Sequence, residues 1–102
     1  MNQQTNNSNN PPVDSVQLGA IRCAIWANQH KDRVRYSVTM ERRYRDENGD
    51  WQSTHSYGRD DLLRAGKALG LAETRILELE ERDRQAARDA AAQVQQHAGN
   101  AR

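Results

Sequence analysis

Arginine and aromatic side chains recur at alternate positions in two neighbouring stretches of this chain. The first stretch holds Arg22 and Trp26, and the second runs from Arg35 to Arg45. Aromatic rings stack on bases and arginines neutralise phosphates, which is the chemistry that single-stranded nucleic acids require. The alternative is a solvated surface, because antiparallel sheets commonly leave one face in water.

Strand alternation would place a third, polar stretch on the same face. The candidate residues for binding single-stranded DNA or RNA are Arg22, Trp26, Arg35, Thr39, Arg43, Arg45, Gln52 and Thr54. The net charge of +1 adds little to this hypothesis, since many nucleic-acid-binding domains are far more basic.

Catalytic chemistry has weaker support. His55 lies near Ser53 and Asp60, a composition that could imitate a hydrolase site. In a strand, however, Ser53 and His55 face the same way, and no oxyanion turn or nucleophile elbow accompanies them. We therefore predict that the protein is not an enzyme.

Metal and cofactor sites are not indicated either. His30, His55, His97 and Cys23 lack the spacing of metal ligands, and a structural zinc site normally needs four of them. The glycines of the C-terminal half do not form a phosphate-binding loop. We predict no metal and no cofactor. Cys23 alternates with isoleucines, which favours a buried apolar role.

A β-hairpin must position the second and third stretches. Val34 to Arg45 alternates between apolar and polar residues, as a half-buried strand does. Asn48 and Gly49 favour a turn, with Gly49 at positive φ. With Asp46 to Gly49 as the loop, the predicted cross-strand pairs are Arg45 with Asp50, Tyr44 with Trp51, Met40 with His55 and Val38 with Tyr57.

The segment Val16 to Asn28 reads as one further strand, which gives an antiparallel meander of three to four strands. Its alternation predicts a single apolar face. The residues expected on that face are Ile21, Cys23, Ile25, Val34, Tyr36, Val38, Met40, Tyr44, Trp51 and Tyr57.

A long helix is predicted from about Asp60 into the 80s. Its acidic start suits a helix N-terminus, and one apolar stripe recurs at intervals of three and four residues. The stripe consists of Leu62, Ala65, Gly66, Leu69, Ala72, Ile76 and Leu79. The fold class is therefore α+β, a meander followed by one C-terminal helix. Further on, Glu78 with Arg82 and Glu80 with Arg84 have the spacing of stabilising pairs.

Composition divides the chain into three parts. Residues 1 to 14 form an Asn/Gln-rich tail that we expect to be disordered, and residues 15 to 80 form the sheet and helix domain. Residues 81 to 102 are a polar, Ala-rich helical extension, frayed from about His97. No signal peptide or membrane span is evident, so we expect a cytoplasmic protein.

One ordered series resembles a known family. Residues 42 to 50, Arg-Arg-Tyr-Arg-Asp-Glu-Asn-Gly-Asp, are similar to the basic-aromatic strand and Asp-x-x-Gly turn of the transcriptional coactivators called positive cofactor four and their bacterial single-stranded-DNA-binding relatives. Asp61 to Leu69 resembles the start of that family's helix. The resemblance implies a curved antiparallel sheet, one long helix, and dimers formed through that helix. The chain departs from the family at 53 to 58, where a Lys-Gly segment is replaced, and in lacking the Trp before the turn.

The helix also predicts a homodimer. Leu63, Leu71 and Leu77 lie off the main stripe and would face water in a monomer, so we expect them at a dimer interface. Three hypotheses remain: a dimeric single-stranded nucleic-acid-binding protein that serves transcription or DNA maintenance, a protein-interaction module that uses the sheet edge or the long helix, and an enzyme.

Overall fold

The computed structural model describes residues 10 to 100, with side chains through Val94. Its elements are β1 (Asp14–Leu18), β2 (Ile21–His30), β3 (Arg33–Arg45), β4 (Trp51–Thr54), a 3₁₀ turn (Arg59–Asp61) and a long helix, α1 (Leu62–Asn100). The four strands form one antiparallel sheet in the order β1-β2-β3-β4. The predicted α+β fold, a meander followed by one long helix, is confirmed.

The N-terminal end of the sheet differs from the predicted single strand. The segment Val16 to Asn28 is divided between β1 and β2, which meet at a tight turn. Gly19 adopts a φ of 59° there, a conformation that glycine reaches without steric cost. The prediction missed this turn because Gly19 is a single interruption in an otherwise apolar pattern. The predicted tail of residues 1 to 14 lies mostly outside the described residues.

The turn between β3 and β4 sets a different register from the predicted one. The N–H of Gly49 donates to the carbonyl of Asp46, and the N–H of Asp46 donates to the carbonyl of Asp50. This is a three-residue loop closed by a glycine bulge, in which Gly49 has a φ of 83°. The positive φ predicted for Gly49 is confirmed. The predicted register is wrong by one residue, because the prediction assumed a four-residue loop.

The observed pairs are Arg42 with Thr54, Arg43 with Ser53, Tyr44 with Gln52 and Arg45 with Trp51. Because successive side chains point to opposite faces, this shift of one residue moves Trp51 to the face opposite the one predicted. β4 ends at Thr54, so the expected pairs of Met40 with His55 and Val38 with Tyr57 do not form.

The core is a thin layer between the sheet and α1. Ile21, Cys23 and Ile25 of β2 are fully buried beneath three alanines of the helix, which are Ala65, Ala68 and Ala72. Burial raises the pKa of the Cys23 thiol above its ordinary value, because the thiolate would lose its hydration. The fully buried residues of the predicted apolar face all belong to β2.

The helix lies over β1 and β2 rather than over the middle of the sheet. Tyr36, Val38, Met40 and Tyr57 pack against the core and are partly buried. Val34 and Tyr44 were also expected in the core, but each is 38% exposed. Val34 is not packed by the helix because an open hollow separates it from α1.

The helix packs on the sheet through only part of the predicted stripe, since Ala65 and Ala72 are buried and Ile76 and Leu79 pack against the core. Leu62 and Leu69 were expected on the sheet, yet they are 56% and 45% exposed. Ala68, which was not predicted, is fully buried in their place. Since alanine side chains are short, packing through them brings the helix close to the sheet and turns the longer leucines outward.

A compact junction starts the helix. The Asp61 carboxylate accepts the N–H of Gly58 at 2.8 Å and lies 3.4 Å from the guanidinium of Arg42. Arg42 also donates to the carbonyl of Ser56 at 3.0 Å. These contacts tie the end of the sheet to the first turn of α1.

The distal part of α1 leaves the sheet. One contact with β3 remains where the hydroxyl of Tyr36 donates to Asp83. On the exposed surface of the helix, Glu81 pairs with Arg84 at 2.7 Å and with Arg88 at 3.2 Å, in place of the predicted pair between Glu80 and Arg84. The molecule is therefore elongated, with extents of 73 × 27 × 19 Å. The expected fraying from about His97 falls where side chains are not described, and it stays a prediction.

The Asp46 turn should make stability depend on pH. Its carboxylate accepts the N–H groups of Asp50 and Asn48 and the amide of Gln52, at 2.9 to 3.0 Å. The bond from Asp50 and then the bond from Gln52 lower the pKa of Asp46 in the folded protein. The stabilisation is therefore complete above the unfolded-state pKa, about 3.9, and is lost as pH falls through the folded-state pKa.

We expect Asp46→Ala to lower the free energy of unfolding at pH 7 by more than it does at about pH 2.5. Urea unfolding of both proteins at the two pH values measures the difference. Asp50→Ala is the control, because its backbone rather than its side chain contacts Asp46. An equal effect of Asp46→Ala at both pH values would contradict this account of the turn.

Candidate nucleic-acid interface

No element among residues 10 to 100 covers the face of the sheet opposite α1, and we call it the free face. Its strand residues are Ser15, Gln17, Arg22, Ala24, Trp26, Asn28, His30, Arg33, Arg35, Ser37, Thr39, Glu41, Arg43, Arg45, Trp51 and Ser53. They follow from the register, since residues paired across strands point to the same side.

The free face carries a concentration of positive charge. Among its described strand residues, the basic side chains are Arg22, Arg33, Arg35, Arg43 and Arg45, against the single acid Glu41. Arg22 lies 4.0 Å from Glu41, a long and half-exposed pair that leaves the guanidinium largely hydrated. The face is therefore basic although the whole chain has a net charge of only +1.

Trp26 is held in a fixed position on this face. Its indole N–H donates to the hydroxyl of Thr39 at 3.0 Å. Next to it, Asn28 donates to the hydroxyl of Ser37 at 3.0 Å. These bonds join β2 to β3 on the free side, where Trp26 is half-buried.

Trp51 is the residue that sequence reasoning missed. It was expected in the core, but it is 56% exposed on the free face. The guanidinium carbons of Arg45 and Arg43 lie 5.0 and 5.5 Å from its ring centroid, within cation–π range. The signal for this placement was Gly49, whose positive φ also suits a three-residue loop with a bulge.

Gln52 and Thr54 were predicted at the interface but lie on the helix side of β4. Gln52 donates its amide to Asp46 at 3.0 Å, and the Thr54 hydroxyl accepts the N–H of Ser56 at 3.1 Å. Both side chains therefore stabilise turns. The other predicted residues, from Arg22 to Arg45, lie together on the free face as expected.

The consecutive arginines of β3 have separate functions because the strand alternates. Arg42 faces the helix, where Asp61 and Ser56 hold it and where it lies 5.7 Å from the ring of Tyr44. Arg43 faces the opposite way, toward Trp51. Only the second is available to a ligand on the free face.

The residues considered above for catalysis or metal binding are not brought together into a site. Ser53 points to the free face beside Arg43, and His55 lies beyond the end of β4. Among the described residues, no group of three or more His, Cys, Asp or Glu side chains is placed to hold a metal ion.

Comparisons of the chain with protein-family models, curated proteins and solved structures give no match. The likeness to positive cofactor four therefore stays a prediction from residues 36 to 69. No helix in the described part of the chain has both the length and the apolarity to cross a bilayer.

The arginines around Trp51 should attract small anions to its ring. In the variant Trp26→Phe, where Trp51 is the remaining tryptophan, we expect iodide to quench fluorescence more strongly than caesium does. Replacing Arg45 by Ala should lower the iodide quenching constant about two- to fourfold at low salt, as removal of one charge near 5 Å implies.

Neutral acrylamide is the control for that experiment, because its quenching depends on exposure and not on charge. Its quenching constant should stay nearly unchanged in the Arg45→Ala variant. Equal iodide quenching with and without Arg45 would show that the guanidinium does not lie beside the Trp51 ring in solution.

Proposed function

We propose that the chain binds single-stranded DNA or RNA through the free face and acts as an accessory factor in transcription or DNA maintenance, without enzymatic activity or a cofactor. The observation that carries the proposal is Trp51, exposed at the surface between Arg43 and Arg45. The proposed pathway comes from the resemblance in residues 36 to 69, and the proposed chemistry comes from the residues of the free face.

The chemistry of the face suits a single strand better than a duplex. A base can stack on an exposed indole only when it is free of its own pairing partner, and each stacked base contributes about 1–3 kcal/mol. Arg43 and Arg45 beside the ring are placed to meet the phosphates that flank such a base. Because Trp26 occupies the same face, one strand could meet both aromatic side chains.

The arrangement also explains why bulk charge is uninformative here. Acidic residues are concentrated in the turns and along α1, whereas the free face is basic. Screening limits interactions between exposed charges to about 8–10 Å at moderate salt, so a strand on the free face responds chiefly to the arginines beside it.

Substitutions on the free face should separate stacking from phosphate binding. We expect Trp51→Ala or Trp26→Ala to weaken oligo(dT) binding by about 1–3 kcal/mol. Arg43→Ala should weaken it too and should reduce the slope of log affinity against log salt by about one. Fluorescence anisotropy with a labelled oligonucleotide over a range of salt concentrations measures both quantities.

Arg88→Ala is the matched control, because it removes the same charge from the distal helix. It should leave affinity and salt slope nearly unchanged. If the free-face variants bind like the unmodified protein at low salt, or if no binding occurs, the nucleic-acid hypothesis fails and the protein-interaction hypothesis takes its place.

The homodimer is also a proposal, and the outer surface of α1 supports it. Leu62, Leu63, Leu69 and Leu77 are 56%, 90%, 45% and 55% exposed. They surround Gly66 and Gly70, where an added Cβ would meet nothing within 4 Å. With 3.6 residues per turn, these residues share one side of the helix, and we call it the leucine face.

The leucine face suits contact with a second copy in antiparallel orientation. A two-fold axis midway between Leu69 and Gly70 would place Leu62 against Leu77 of the other copy, and Leu69 against Gly70. Leu69 of one copy would then meet the gap left by Gly70 of the other. Each fully buried leucine would contribute about 1.5–3 kcal/mol.

Leu71 was predicted in the same interface, but it lies about 120° around the helix from Leu77. It is 41% exposed, so it offers a matched control. We expect Leu77→Glu to convert the dimer to a monomer and Leu71→Glu to leave it dimeric. Sedimentation equilibrium at micromolar concentration measures this, and a single species of 11.6 kDa for the unmodified protein would rule out the dimer.

A further inference from the structure

The free face contains two hollows. The Trp26 hollow has a volume of about 180 Å³ and is lined by Pro12, Arg22, Ala24, Trp26, Thr39 and Glu41. The Trp51 hollow has a volume of about 530 Å³ and is lined by Gln17, Gly19, Ala20, Arg43 and Trp51. Each combines one tryptophan with one arginine.

The Trp26 hollow exists because Ala24 is short. Ala24 lies between Trp26 and Arg22 along the free side of β2, so the larger side chains stand on either side of it. The bond from Trp26 to Thr39 fixes the indole, and the Arg22–Glu41 pair supplies a donor and an acceptor at the other end. An aromatic side chain beside polar groups suits a flat ring with a polar edge, which describes a nucleobase.

The Trp51 hollow lies between the β1–β2 turn and β4. Arg43 fixes one boundary, because its backbone N–H donates to the carbonyl of Ala20 at 2.9 Å. Gly19 and Ala20 of the turn line this side, and the ring of Trp51 forms the opposite boundary beside two guanidinium groups. This hollow could take a base together with a flanking phosphate.

The separation of the hollows limits how one strand can occupy both. The indole of Trp26 contacts Thr39, and the ring of Trp51 lies beside Arg43 and Arg45, so the two rings are four to six residues apart along β3, about 13 to 20 Å. Stacked bases are only about 3.4 Å apart along a strand. Two consecutive stacked bases therefore cannot reach both rings, and the Glu41 carboxylate, which lines the Trp26 hollow, repels phosphate.

We infer that the two hollows take two non-adjacent bases of one extended strand, with the intervening base or bases turned away from the protein. The inference rests on the proposed function. The expected ligands are weakly stacked, pyrimidine-rich single strands, because a strand must lose the stacking between its own bases to bind in this way. Purine runs stack strongly on themselves, so separating their bases for the same contacts costs more free energy.

The test uses the full chain and twelve-residue DNA strands in competition with labelled oligo(dT). Each competitor keeps two thymines and is abasic elsewhere, with zero to five abasic residues between the two bases. All competitors keep the same phosphates, so differences among them report on the bases. We expect affinity to pass through a maximum when one to three abasic residues intervene, about tenfold above the adjacent pair.

Trp51→Ala should remove the maximum, since only one hollow then has an aromatic side chain, and Trp51→Phe should keep it. Trp51 is 56% exposed, so neither substitution disturbs the core. Intact oligo(dT) should bind more tightly than oligo(dA) of equal length. Equal affinity at every spacing, or the best affinity for adjacent thymines, overturns the two-hollow inference while leaving the proposed function intact. Failure of intact oligo(dT) to bind at low salt overturns both.

Discussion

The structure depends on the contact between the β2 strand and three alanines of the helix. Ile21, Cys23 and Ile25 are fully buried there, and Ala68 fits against them without holding the helix away from the sheet. In the described part of the chain the sheet has only this covering layer, and every second residue of its strands faces away from the core. The basic and aromatic free face is the direct result, as is the outward position of the leucines on α1.

A second constraint, the turn at Asp46, decides which aromatic side chain joins that face. The Asp46 carboxylate accepts the N–H groups of Asn48 and Asp50, and Gly49 adopts the positive φ that closes a three-residue loop. The register that follows pairs Arg45 with Trp51. With one more residue in the loop, the indole would point to the helix side and the arginines would lie beside a polar residue.

The sequence predicts the architecture well because its elements have clear periods. Alternation in β2 and β3 identifies both faces of these strands, and it places Arg22, Trp26, Arg35, Thr39, Arg43 and Arg45 together. The turn is less predictable, since Asn48 and Gly49 are compatible with loops of three or four residues, and Trp51, Gln52 and Thr54 change faces with that choice. The choice of which helix residues face the sheet is ambiguous for another reason. Leu62 and Leu69 recur with the same period as the buried alanines. The alanines lie on the sheet because they allow close packing, which is a tertiary property that the period does not reveal.

The order of the strands in the sheet is also their order along the chain. Each strand pairs with its immediate neighbour through a short connection, so the sheet can grow one hairpin at a time with little loop entropy to overcome. The distant contact is that of α1 with β1 and β2, which brings the two ends of the folded unit together. Chains rich in local contacts fold quickly, and here the hairpins can form before the helix docks. Docking of the helix is then the step that makes the assembly cooperative, because only it buries the isoleucines of β2.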